Sequence, residues 1–233
     1  MHLCSMANIL CIETSGTVCS VALFDDSANC LGYEKEEASF QHAAVATVLI
    51  DKLLTQCNID IKQLDAVALS AGPGSYTGLR IGTSVAKGLC YALDVPLIAI
   101  NTLALLASGF IKNNVIAKND LICPAIDARR MEIYTAIYDT ELHCKLLPTP
   151  LIITPDVFAE ELKAADIHLV GSGAKKTFEE INHQKLKLNE GDYLSAKNMG
   201  KLAVDKWLIK DFADTSYFEP DYLKAFHTTA KVK

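Results

Sequence analysis

The residues with the most chemical potential lie in one run, Ser70-Ala71-Gly72-Pro73-Gly74-Ser75-Tyr76-Thr77-Gly78-Leu79-Arg80-Ile81-Gly82. Its glycines permit positive φ and leave backbone N–H groups bare, the makings of an anion nest that touches a phosphate or lets another backbone come close. A tight turn with Ser75 capping the next helix accounts for the same residues. The run is neither a P-loop nor a dinucleotide fingerprint. A second candidate is Glu13-Thr14-Ser15-Gly16-Thr17, whose plain reading is a hairpin turn. A third is Asp127-Ala128-Arg129-Arg130 with Glu132. That charged turn could line a cleft and pair with Arg80 or a ligand, or sit as a solvated hairpin tip. Glu13, Ser15, Gly72, Gly74, Ser75, Arg80 and Asp127 are therefore the candidate anion or nucleotide contacts, and weak nucleotide binding is the one cofactor interaction they could support.

Other chemistries find little support. His42 is the single histidine of the first helical stretch, and a metal pair on one helix face needs a second ligand three or four residues on, where Val45 and Ala46 stand. No metal site is expected. Ser75 has a loop setting but neither a GxSxG elbow nor a histidine partner, so no catalytic nucleophile is assigned. The eight cysteines (4, 11, 19, 30, 57, 90, 123, 144) form no CxxC pair, and several sit in apolar runs such as ILCIET and TVCSVAL. They read as free, buried thiols of a reducing compartment.

The elements that must position these residues follow from patterning. NILCIE (8–13), VCSVALF (18–24) and CLGYEKE (30–36) read as a three-stranded meander. From Gln41 to Cys57, Ala44, Val45, Val48, Leu49, Leu53 and Leu54 recur at helical spacing. DAVALS (65–70) is a strand and Tyr76–Leu93 a second helix, with Leu79, Thr83, Ala86, Cys90 and Leu93 on one face. PLIAI (96–100) is a strand and a short helix starts at Thr102. The second half repeats the grammar: strands at 121–128, 131–139 and 143–149, a helix from Thr154-Pro155 to about Ala165, a strand at 167–173, a helix from Ala174, and a last one capped by Ser195 and running past Trp207. Both halves read βββαβα, with an acid, Glu13 or Asp127, closing the first strand. Duplicated lobes of this order describe an α/β fold of the actin-like ATPase (RNase H-like) type, two lobes facing across a cleft.

Composition narrows the partners. Of 233 residues half are hydrophobic and 21% charged, which excludes a disordered chain. Residues 1–110 carry five Lys/Arg against ten Asp/Glu, and 111–233 carry seventeen against eighteen. Neither half has the basic excess that neutralises phosphates, so tRNA or other nucleic acid is expected only through a complex. The longest uncharged run, between Asp94 and Lys112, holds Pro96 and Asn101 and is too short to span a bilayer. No basic region precedes the first apolar residues and Glu13 interrupts them, so neither a signal peptide nor a membrane partner is expected, and the cytoplasm is the expected location.

ILCIETSGTVCSVAL, LSAGPGSYTGLRIGTSVAKGL, PAIDARRMEIYTAIYD and FEPDYLK together resemble the TsaB (YeaZ) family, over the whole chain and most strongly over 8–138. The Glu13–Thr17 turn is also similar to the first phosphate loop of actin-like ATPases, which usually place Asp where Glu13 stands, to hold a metal-bound water. The resemblance implies an actin-like, non-catalytic, dimerisation subunit of the bacterial tRNA threonylcarbamoyladenosine machinery. Its catalytic paralogue TsaD would transfer the threonylcarbamoyl group to the adenosine next to the anticodon, and TsaE would supply ATPase activity. TsaD holds a metal through an HxxxH pair, of which only His42 has a counterpart here. The implied lobes are 1–108, carrying the partner-binding helices, and 109–233, whose last segment (about 196–210 and Phe218–Leu223) is free to return onto the first lobe. TsaD would dock on the helices at 41–57 and 76–93 through His42, Val45, Leu49, Tyr76, Leu79, Gly82 and Ala86. The small residues Ala43, Ala44, Ala46, Gly78, Gly82 and Ala86 would give smooth faces for close packing, and the same surface could mediate homodimers. Gly82→Arg or Ala86→Glu would then weaken association. An independent actin-like ATPase or kinase is the alternative. A metalloprotease ranks last, since neither HxxxH nor HExxH occurs.

Overall fold

A computed structural model describes residues 7–37 and 42–224, with the side chains of 42–44 left aside. The first three strands, β1 (Ile9–Glu13), β2 (Val18–Phe24) and β3 (Cys30–Glu37), form the meander that their runs of Ile, Val, Leu and Cys and the intervening turns predict. Helix α1 (His42–Cys57) leads to strand β4 (Ala66–Gly72), helix α2 (Tyr76–Leu93), strand β5 (Leu97–Asn101) and helix α3 (Thr102–Asn113). β4 and β5 lie parallel to β1, so the sheet order is β3-β2-β1-β4-β5.

The second half repeats this arrangement. Strands β6 (Leu121–Asp127), β7 (Glu132–Tyr138) and β8 (Cys144–Ile152) form a second meander, followed by helix α4 (Ala159–Ala164), strand β9 (Ile167–Val170), helix α5 (Ala174–Ile181) and strand β10 (Leu186–Asn189). Its order is β10-β9-β6-β7-β8, with β6 parallel to β9 and antiparallel to β7, as β1 is to β4 and β2. Two lobes built on one strand order are the duplicated actin-like plan.

Three details depart from the sequence reading. The second sheet has a fifth strand, β10, that the sequence reading misses because LKLN is too short to stand out, whereas its counterpart β5 in the first sheet is the expected PLIAI strand. Thr154-Pro155 opens a turn rather than a helix. Phe158 takes a left-handed φ of 65°, and α4 starts only after it. Ser195 caps a single 3-10 turn at Ala196–Asn198, after which helix α6 spans Gly200–Leu208.

Apolar burial explains the layering. Leu10, Ile12, Val21 and Leu23 meet Leu49, Leu53, Ala86 and Cys90 of α1 and α2 on one face of the first sheet. Ile9, Cys11, Ala22 and Phe24 meet Met199, Ala203 and Val204 on the other, so α6 packs on the first lobe's sheet. Burial pushes the thiols of Cys19 and Cys90 up to about 11 and that of Cys123 to about 12, as expected of cysteines serving as small hydrophobes. Among the described residues no helix is long and apolar enough to cross a membrane.

After α6 the chain runs back as a strap, 211–224. Ala213 N–H donates to Leu97 O at 2.8 Å on the open edge of β5, and Phe218 packs into the first-lobe core. Lys87 Nζ holds the carbonyls of Ser216 (3.1 Å) and Phe218 (3.2 Å), and Asp221 N–H donates to Ala71 O at 2.7 Å. Lys224 then pairs with Glu132 on β7, in the second lobe.

Candidate functional site

Two loops at the carboxyl ends of β1 and β4 meet and form the first-lobe wall of the cleft. Glu13, fully buried, accepts through Oε1 from the Ser15 amide (2.6 Å) and the Ser15 hydroxyl (2.5 Å), so its carboxyl organises its own turn. Burial pushes the Glu13 carboxyl above the usual carboxylate range, against the opposing pull of its Ser15 hydrogen bonds. The Ser70 hydroxyl also favours the charged form but sits out of hydrogen-bond alignment, and Glu13 Oε2, Ser70 Oγ and Thr83 Oγ1 stand buried without a partner.

The second loop closes on the first through backbone. Ser75 N–H donates to Ser15 O at 2.7 Å, and Ser75 Oγ accepts from Gly78 N–H to cap α2. Two glycines are required by close approach. Gly72, at φ +112°, would place a Cβ 2.1 Å from Asp221 O; Gly82 would place one 2.3 Å from Thr14 Oγ1. The nest expected at this run is therefore mostly filled by the chain itself.

Across the cleft, the Asp127 side chain is half exposed at the end of β6. Its Oδ1 accepts from Lys176 Nζ (2.5 Å) and the Arg129 amide (2.8 Å). Lys176 also holds the carbonyls of Arg130 (2.9 Å) and Glu132 (2.6 Å), fixing a turn whose Arg129 and Arg130 are both left-handed. Burial works to raise the Asp127 carboxyl, but Lys176 and the Arg129 amide outweigh it and hold it below the ordinary range. The cleft between the lobes, about 1170 Å³, is lined by Ser15, Gly74, Ser75 and Asp127 among the sequence candidates, joined by Tyr134, Ser172 and Asn189.

Glu13, Gly72 and Arg80 are not in that lining. Glu13 lies beneath its turn and Gly72 backs onto the strap. Arg80 turns outward, 4.2 Å over the Tyr76 ring, which in turn meets Tyr222. An actin-like phosphotransferase needs a carboxylate free to hold a metal-bound water. Glu13 is buried in its turn and Asp127 is neutralised by Lys176, so the two acids are committed to structure. No group of three or more metal-ligating side chains occurs among the described residues.

The helix pair gives a second surface, and here the expected contacts need correction. Leu49 and Ala86 are buried in the core between the helices and the first sheet, Leu79 is fully buried, and Gly82 is buried against Thr14. An apolar helical stripe in a layered domain is consumed by its own fold, so these four are closed to a partner, while Val45 and Tyr76, the latter facing Tyr222 with ring centroids 4.9 Å apart, are half-buried. Gly82→Arg and Ala86→Glu would test the core and not association. The side chain of His42 lies outside the described residues, as do those of Ala43 and Ala44.

What the helices present outward is different. Val48 is 62% exposed, and a groove of about 810 Å³ runs between them, lined by Ile50, Asp51, Leu54, Ile61, Ser84 and Gly88. Nothing lies within 4 Å of a Cβ built on Gly88, so the groove is open there. The sequence marks Val48 and Leu54 only as members of the apolar set of α1, and it singles out none of Ile50, Asp51, Ile61, Ser84 and Gly88, because an isolated residue on a polar helix face breaks no pattern.

A family model described as TsaD: tRNA N6-adenosine threonylcarbamoyltransferase matches residues 31–144. The chain is 28% identical to the tRNA threonylcarbamoyladenosine biosynthesis protein TsaB of Escherichia coli, covering 93% of this chain and 94% of the relative. It is 29% identical to the protein of the same name in Bacillus subtilis, covering 96% of each. Among solved structures, YeaZ from Pseudomonas aeruginosa superposes with a TM-score of 0.81 at 27% identity, over 94% of this chain and 100% of that one.

Proposed function

The chain belongs to the TsaB (YeaZ) family, and from that premise we propose that it is an accessory subunit that binds and supports a TsaD transferase during threonylcarbamoylation of tRNA, in the cytoplasm. The observation that carries this reading is the contrast between its two surfaces. The cleft acids are committed to their own turns, while the outward faces of α1 and α2 frame an open groove with an exposed apolar rim. The chemistry then belongs to the partner, and this chain supplies a rigid docking face. TsaE and tRNA are reached only through the assembled complex, and the same face would serve a homodimer when the transferase is absent.

Reconstitution tests this. The transferase with its threonylcarbamoyl-adenylate supply should modify tRNA only when this chain is added, and the two proteins should co-purify. Full modification in its absence removes the reading.

The cleft favours one secondary reading. At about 1170 Å³ it is large enough for a nucleotide, and we propose weak binding there without turnover. Calorimetric titration of the isolated chain with ATP and magnesium discriminates this from an independent ATPase, which would hydrolyse the nucleotide.

A further inference from the structure

The strap lies beside α2. On α2, Arg80, Ser84, Lys87 and Tyr91 follow at spacings of four, three and four, one stripe of the helix surface. α1 and the groove flank this stripe on one side, through Val85, Gly88 and Leu89. The strap is fixed along the other, by Tyr222 packed on Tyr76 at the start of α2 and by the Ser216 and Phe218 carbonyls on Lys87. Clamping both neighbours of Tyr217 holds that residue near α2 while its side chain stays 86% exposed. Tyr91, one turn beyond Lys87, is 89% exposed. Two open tyrosines thus border the helix face from adjacent elements, and tyrosine combines large contact area with little conformational freedom to lose.

We propose that the docking face extends past the helix pair onto the C-terminal strap, with Tyr91 and Tyr217 as its aromatic contacts and the first-lobe helix pair of a TsaD-family chain as occupant. The proposal rests on the reading above and adds the strap to it. The occupant follows from two observations. The transferase-family match spans 31–144, the stretch that holds α1 and α2, so a transferase chain brings a comparable helix pair. The rim is acidic on balance: Asp51 and Asp60 border the groove, and Asp214, Glu219 and Asp221 are exposed along the strap, against Arg80 and Lys87 on the stripe between them. A second copy would meet this rim with its own excess of acids and so hold the face more weakly than a different chain bringing a basic patch, which leaves self-association to the chain without its partner.

The test uses the full chain and the TsaD transferase of the same organism, with affinity read by calorimetry. Tyr217→Ala and Tyr91→Ala should each weaken binding about tenfold or more, as truncated aromatic hot spots do. Leu147→Ala, also highly exposed at 75% but on β8 of the second lobe, should bind like the unaltered chain. If both tyrosine variants bind normally while Val48→Asp abolishes binding, the strap is not part of the face and the inference fails alone. If the unaltered chain does not bind the transferase, the accessory-subunit reading falls with it. If the tyrosine variants disturb only self-association in sedimentation, the occupant is a second copy and the proposal is overturned.

Discussion

Replacing Gly82 by Ala should destabilise the protein, and removing the Thr14 side chain should reverse the sign. An Ala in a helix interior is favoured over Gly by about 1 kcal/mol from conformational entropy alone. Against this, the new Cβ would stand 2.3 Å from Thr14 Oγ1, which donates to Gly78 O at 2.8 Å in a buried site. Overpacking of this kind costs about 1–3 kcal/mol, and displacing the hydroxyl forfeits a hydrogen bond of about 1 kcal/mol. Gly82→Ala in the native background should therefore lose about 1–3 kcal/mol. In a Thr14→Ala background the hydroxyl is gone and the remaining Thr14 neighbour, Cβ, lies at an ordinary 3.5 Å. There the same substitution should be neutral or stabilise by up to about 1 kcal/mol. Urea unfolding of the four proteins, with midpoint and slope fitted together, completes the cycle. Equal effects of Gly82→Ala in the two backgrounds would refute the claim that this glycine exists to let α2 approach the β1–β2 turn.

Two further outcomes follow from the same loops. The folded protein raises the Glu13 carboxyl above its unfolded value, so its contribution is fully present below about pH 4.3 and is lost as pH rises through the folded value. Glu13→Gln, which can still accept from Ser15, should therefore gain stability relative to the native chain as pH rises, and a widening deficit at alkaline pH would contradict the assignment. Gly72→Ala combines a left-handed φ, costing about 1–2 kcal/mol, with a collision against the Asp221 carbonyl. It should release the strap and quicken chymotryptic cleavage after Phe218, without which the strap is held by something other than the Asp221–Ala71 contact.

The duplicated architecture was legible because it is written in local periodicity. Short apolar runs bounded by turns mark β1 and β2, helical spacing marks α1 and α2, and the second half repeats the order. β10 escaped because LKLN is too short and too polar to signal a strand at a sheet edge. Four of the expected docking residues fell on buried positions for a related reason. Hydrophobic periodicity reports the face a helix buries: Leu49 and Ala86 pack in the core beneath the helices, and Leu79 and Gly82 are buried as well. The outward face carries Ser84, Gly88 and Tyr91, which have no period to detect, and Val48, which the apolar period counts but the fold leaves exposed. The glycine-rich run was recognised as a place of close backbone approach, but what approaches Gly72 is Asp221, nearly 150 residues later, and no local pattern encodes that pairing.

The central claim is that this protein works through the outward faces of α1 and α2 while its cleft stays uncommitted to chemistry. Hydroxyl-radical footprinting with and without the TsaD transferase tests it side chain by side chain. The account predicts that Val48 and Ile61 become protected on mixing while Met131 and Tyr134, on the second-lobe hairpin, keep their reactivity. Protection confined to Met131 and Tyr134, with Val48 and Ile61 unchanged, would contradict it.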